Sequence, residues 1–181
     1  EMPGVEAIYT GADLITDDIG TLPTLLIFPR PDGSPMTVPP RRLLAHDLVR
    51  YVGETVAAVV ATSRFAAQSA AEAIAVEYQE LPSVVDPIDA TKPGAPLVWS
   101  EVPDNIVARM SYGDAAVVEA AFAKADHVVS LDLVNQRLVP SAMEPRSAIA
   151  EVEKKTGRLI LHVQSQTPAS TRDILAEAVL K

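Results

Sequence analysis

Residues Arg50–Pro82, RYVGETVAAVVATSRFAAQSAAEAIAVEYQELP, carry the reading that decides the fold. Val56-Ala-Ala-Val-Val-Ala61 is an unbroken apolar run of strand length, the pattern of a strand covered on both faces. Thr62 or Ser63 follows as a helix cap, and Ala67, Ala70, Ala71 and Ile74 fall at i, i+3, i+4 and i+7 on one face. Those small side chains allow a helix to lie close against a sheet. Val76–Leu81 partly alternates, as a half-buried strand does, and Pro82 ends it. The spacing therefore predicts strand, helix, strand, with Gly53 serving a turn. Its polar residues are isolated from one another, so the stretch reads as a packing unit rather than a catalytic one.

The flanks follow the same logic. Val5–Tyr9 predicts a strand, with a turn at Gly11 and a short helical piece after it. Between Gly20 and Arg42, Pro23, Pro29, Pro31, Pro35, Pro39 and Pro40 forbid regular helix and leave room for one edge strand at Leu25–Phe28. After Pro82 come Asp86-Pro87, Lys92-Pro-Gly-Ala-Pro96 and Pro103-Asp-Asn105, the composition of a linker. Asp114 is placed to cap a helix over Ala115–Lys124, and His127–Val134 reads as a strand. Ser147–Glu153 and Arg158–Gln164 alternate on either side of Lys154-Lys-Thr-Gly157, which predicts a hairpin with Gly157 at the turn. A last helix starts near Thr167-Pro168, with Pro at its first position. The ends, Glu1 and an uncapped helical pattern running to Lys181, read as those of a piece of a longer polypeptide.

Composition removes whole classes of function. In 181 residues, 24 acidic side chains against 15 basic give a net charge of −9, which argues against a basic face for nucleic acid or anionic membrane. The absence of cysteine excludes disulfides, iron–sulfur ligation and thiolate metal sites within this sequence. No apolar run reaches the ~20 residues of a membrane span, and a soluble, cytoplasmic protein is the expectation. His46, His127 and His162 stand apart, in no metal-binding spacing. There is no nucleophile-elbow serine, no P-loop and no dinucleotide-binding glycine pattern. Two short stretches remain. Met143-Glu-Pro-Arg146 joins a carboxylate and a guanidinium ahead of a strand, a spacing that most simply fixes a loop by a local ion pair. Gln164-Ser-Gln166-Thr-Pro168 lies where a strand hands over to a helix, a place from which side chains are presented to ligands.

Taken in order, Met2-Pro-Gly-Val5, Tyr9-Thr-Gly-Ala-Asp-Leu14, Asp47-Leu-Val-Arg-Tyr-Val-Gly-Glu54, Val56–Val60, Ala70-Ala-Glu-Ala73, Val76-Glu-Tyr78 and Leu81-Pro82 resemble the α/β hammerhead domain of the molybdenum hydroxylases. That family comprises xanthine dehydrogenase, aldehyde oxidase and the large subunit of aerobic carbon monoxide dehydrogenase. Gly113-Asp114, Ala125–Val129, Met143–Arg146 and Gln164–Gln166 resemble the opening of its molybdopterin-binding domain. The resemblance implies an α+β fold: a hammerhead domain over residues 1–88, a linker over 89–104, and over 105–181 the incomplete start of the molybdopterin-binding domain.

It also implies a molybdenum ion held by molybdopterin or its dinucleotide, hydroxylating an aldehyde or N-heterocycle or oxidising carbon monoxide, with water supplying the oxygen. The implied partners are the rest of the molybdenum subunit and iron–sulfur and flavin subunits or domains, and a homodimer is compatible with it; neither nucleic acid nor a membrane span is implied. Position for position, Gln166 matches the glutamine whose amide hydrogen-bonds an oxo ligand of molybdenum, making it the catalytic and cofactor-binding candidate. Glu144 and Arg146 match a recurrent motif and are expected to be structural. The family's glycine-rich loop, its active-site glutamate and most pterin contacts lie beyond the matched stretch, so the 181 residues alone are expected to hold no cofactor and to be inactive. The alternative is a standalone structural or interaction module without cofactor.

Overall fold

The computed structural model describes residues 2–28, 30, 32–136 and 141–180. These divide into two compact units, one of Glu1–Met110 with Ala169–Lys181, the other Ser111–Pro168.

The first unit is built on an antiparallel pair of strands, β1 (Val5–Thr10) and β2 (Ala57–Ala61), in register from Thr10 opposite Ala57 to Val5 opposite Ala61, with an irregularity between Val5 and Ala7. Helix α1 (Gly11–Thr16) continues directly from β1. Its first residue, Gly11, is buried, and a Cβ there would stand 2.1 Å from the Ala45 carbonyl oxygen, so two backbones meet where only glycine fits. Helix α2 (Arg64–Glu72) is capped by Ser63, whose hydroxyl accepts from the Ala66 N–H, and it buries Ala70 against the strands. Gly4, at φ 82°, lies so close to this helix that a Cβ would meet Ala66 at 3.3 Å.

The expectation that β2 is covered on both faces is corrected. Ala57, Val59 and Ala61 are half-buried on the face shared with α2, while Ala58 and Val60 on the other are exposed. Nor does Val76–Leu81 form a strand. It pairs with no described strand, and Tyr78 and Leu81 stand in solvent, because alternation supplies a face but not the ladder partner that a strand needs. Leu25–Phe28 is likewise irregular, and the proline-rich segment is tied down by single contacts instead, Leu22 bridging to Arg41 and Thr37 to Val107. Asn105 organises the loop ahead of the second unit: its amide donates to the Ala90 and Pro96 carbonyls at 2.8 and 2.9 Å and accepts from the Val98 N–H. A π-helical segment, Ile174–Val179, returns to this unit, with the Gly20 N–H donating to the Val179 carbonyl at 2.8 Å.

In the second unit, α3 (Ala115–Lys124) begins where Asp114 accepts from the Ala116 and Val117 N–H groups. Strands β3 (Ala148–Val152) and β4 (Leu159–Val163) form the antiparallel hairpin, closed by Gly157 at φ 72°, whose N–H donates to the Glu153 carbonyl. His127–Val134 is irregular through Asn135 and Gln136, with Val129, Leu131 and Leu133 exposed, so the predicted strand is absent for want of a partner. The unit ends at Pro168, the expected proline that opens helix α4 (Pro168–Asp173), whose remaining residues belong to the first unit. Among the described residues every buried apolar side chain, Leu44, Ala70, Val102 and Val179, belongs to the first unit.

Candidate functional site

The hairpin decides where Gln166 sits. The last backbone pair at its open end is Ala148 opposite Val163, so Ser147 and Gln164 are the next to face each other. There the ladder passes to a side chain. The Ser147 N–H donates to Gln164 Oε1 at 3.1 Å, and Gln164 Nε2 donates to the Pro145 carbonyl and to Ser147 Oγ, both at 3.3 Å. This pattern also fixes which end of the amide is oxygen, since a flipped amide would set NH2 against N–H and carbonyl against carbonyl.

Two residues on, Gln166 occupies the bend between β4 and α4. The Thr167 N–H donates to Ser165 Oγ at 3.1 Å beside it. The Gln166 side chain is exposed and makes no hydrogen bond to a described residue. Its amide keeps both donors available, which is the requirement for binding an oxygen ligand from outside.

Glu144 and Arg146 are exposed, and no ion pair joins them to each other or to any described residue, so the loop-fixing role expected of that pair falls to Gln164. Sequence reasoning missed Gln164 as a clamp, because what sets it opposite Ser147 is the register of the hairpin, which residue types alone do not show. His162, on β4, is engaged across the hairpin with Glu151 at 2.7 Å.

No group of three or more His, Asp or Glu side chains that could hold a metal occurs among the described residues. What the hairpin end offers is a hydrogen-bond donor for a cofactor's oxygen, not a ligand set for its metal, and the residues present fit a molybdenum–pterin group in that limited sense.

The opening stretch takes another role. A hollow of about 1000 Å³ in the first unit is lined by Asp47–Glu54, Glu77–Val84 and Pro96–Val98. Two of its charged groups hold loops: the Arg50 N–H donates to the Glu54 carboxylate, and the Arg50 guanidinium lies 3.7 Å over the Trp99 ring while Nε donates to the Val98 carbonyl. Among the described residues the three carboxyls held below the ordinary aspartate range are also structural. Asp13 is lowered by the Thr10 hydroxyl and N–H, Asp32 by those of Ser34, and Asp104 chiefly by the Ile106 N–H.

Residues 1–82 match the aldehyde oxidase and xanthine dehydrogenase a/b hammerhead domain, and residues 98–181 match the molybdopterin cofactor-binding domain. The chain is 39% identical over 170 residues to the nicotine 6-hydroxylase large subunit of Paenarthrobacter nicotinovorans, covering 93% of this chain and 20% of the relative. It is 33% identical to the carbon monoxide dehydrogenase large chain of Hydrogenophaga pseudoflava, covering 97% and 22%. Reconstituted CO dehydrogenase from Oligotropha carboxidovorans superimposes with a TM-score of 0.80 at 32% identity, over 96% of this chain and 22% of that one. The chain thus spans about a fifth of the length of these relatives.

Proposed function

The chain belongs to the molybdenum hydroxylase family, and from that premise we propose that it is the opening part of a large, molybdopterin-binding subunit whose chemistry is oxidative hydroxylation. Residues 1–88 act as the hammerhead scaffold, 89–104 as the connection, and 105–181 as the first portion of the cofactor-binding domain. When bound, the molybdenum–pterin group, as molybdopterin or its dinucleotide, supplies a two-electron oxidation in which water provides the oxygen. The electrons leave through iron–sulfur and flavin partners, in the cytoplasm. No helix among the described residues is long and apolar enough to cross a membrane.

The observation that carries this reading is the unengaged amide of Gln166 at the exit of β4, beside a hairpin end where both polar side-chain atoms of Gln164 are engaged. Gln166 would help to hold the group by donating to one of its oxygens, and Glu144 and Arg146 belong to the loop across the hairpin end. The exposed apolar side chains of the second unit support the reading further, since Ile149, Val152, Leu131 and Leu133 need cover from a larger protein.

Two measurements test it. In the complete enzyme, Gln166→Ala is expected to lower kcat ~10–100-fold, the usual loss when a group supporting a metal centre is removed. His162→Ala, already paired with Glu151, is expected to change kcat less than ~3-fold. Equal activity in the two variants removes Gln166 from the site. The 181-residue chain by itself is expected to contain no stoichiometric molybdenum by elemental analysis, and one metal per chain would overturn the assignment of the remaining cofactor contacts to other residues.

A further inference from the structure

Gln164 and Gln166 are the same residue type two positions apart, and the structure uses them in opposite ways. The amide of Gln166 makes no hydrogen bond to a described residue, whereas that of Gln164 makes three, at 3.1, 3.3 and 3.3 Å, all to the segment Pro145–Ser147 that leads into β3. Backbone pairing has already stopped at Ala148 and Val163, and Pro145 has no N–H with which to continue it. The three bonds of the Gln164 amide tie the Pro145–Ser147 segment to the end of β4, two residues before Gln166.

We infer that Gln164 is a positioning residue: its amide clamps the Pro145–Ser147 segment to the end of β4 and so fixes the bend from which Gln166 reaches its ligand. This rests on the assignment of Gln166 above. A hydrogen-bond donor aimed at a metal-bound oxygen works within a few tenths of an ångström, and displacement by about 1 Å can cost on the order of 100-fold in rate. Gln164 therefore acts on turnover through geometry, touching neither cofactor nor substrate.

The test compares Gln164→Leu, Gln164→Glu and Gln166→Ala in the complete enzyme, reading amide exchange at Ser147, molybdenum content, and kcat and KM separately. Leucine preserves bulk and removes all three bonds. Glutamate still accepts from the Ser147 N–H and hydroxyl but sets an oxygen against the Pro145 carbonyl. Gln164→Leu is expected to speed Ser147 exchange ~5-fold or more and to lower kcat ~10-fold, with KM and molybdenum content near those of the parent. Gln164→Glu is expected to fall between, and it decides the matter if the leucine variant does not assemble. Gln166→Ala is expected to lower kcat with Ser147 exchange unchanged. Parent-like exchange in both Gln164 variants, or raised exchange with parent-like kcat, overturns the positioning role while a loss in Gln166→Ala leaves the assignment of Gln166 standing. Full activity in Gln166→Ala overturns that assignment instead, and the positioning role with it.

Discussion

The described residues form two antiparallel pairs of five- or six-residue strands, and they differ in what lies against them. β1 and β2, distant in sequence, are joined by α1 running on from one strand and α2 packed on the other, and the unit they anchor buries Leu44, Ala70, Val102 and Val179. β3 and β4 are neighbours in sequence and pair through a tight turn, yet every residue of β3 is exposed and only Ile160 and Leu161 of β4 are half-buried. Local turn chemistry suffices to form a hairpin, but burial needs a third element. The first pair is held by packing, the second by its turn and its side-chain bonds, and the candidate site stands on the second.

The largest effect that tests this contrast is expected at Gly11. A Cβ there would lie 2.1 Å from the Ala45 oxygen and 2.7 Å from its carbon, so Gly11→Ala must displace backbone and is expected to destabilise the first unit by about 3 kcal/mol. Urea unfolding followed by fluorescence of Trp99, the only tryptophan, reads this unit. In the second unit Gly157→Ala meets nothing within 4 Å and suffers only from its φ of 72°, an expected loss of about 1 kcal/mol. Equal losses at the two glycines would break the distinction.

Next in size, Leu44→Ala is expected to lower stability by about 2–3 kcal/mol, as deletion of a buried leucine does. Ile149→Ala, 64% exposed on β3, is expected to stay within about 0.5 kcal/mol, read by amide exchange at Ala150. A large loss at Ile149 would mean that the hairpin is packed after all.

Elements governed by local rules were legible in the sequence. Asp114 capping Ala115–Lys124, Ser63 capping α2, Gly157 turning the hairpin and Pro168 opening α4 each depend on residues within a few positions. The failures share one cause. Val76–Leu81 and His127–Val134 have the alternation of strands but no described strand beside them, and β2 has an apolar run but only one covered face. Strand formation is a property of pairs, and a single sequence shows only one member. At the site, the exposed place of Gln166 followed from the strand-to-helix handover. The role of Gln164 did not, because register, which brings it opposite Ser147, depends on where the Gly157 turn begins and ends.

The smallest expected effect concerns pH and again separates the units, because among the described residues the carboxyls held low all lie in the first. The Asp13 carboxylate accepts from the Thr10 hydroxyl at 2.6 Å and the Thr10 N–H at 2.7 Å, fastening the start of α1 to the end of β1. These bonds favour the ionised form and lower its pKa below the ordinary 3.8. Because the folded value lies below the unfolded one, the contribution is present in full above the unfolded pKa and is lost as pH falls through the folded one. Acidification from neutrality to about pH 5 should therefore leave the β1–α1 junction unchanged, and loosening should begin only below the ordinary aspartate range. Carboxyl-carbon NMR should place the Asp13 midpoint below that of an unfolded peptide, and Asp13→Asn should remove this part of the acid dependence while leaving α3, capped by Asp114, untouched. A midpoint at or above the free value would show that the Thr10 bonds do not persist in solution, and the junction would then depend on the close approach at Gly11 alone.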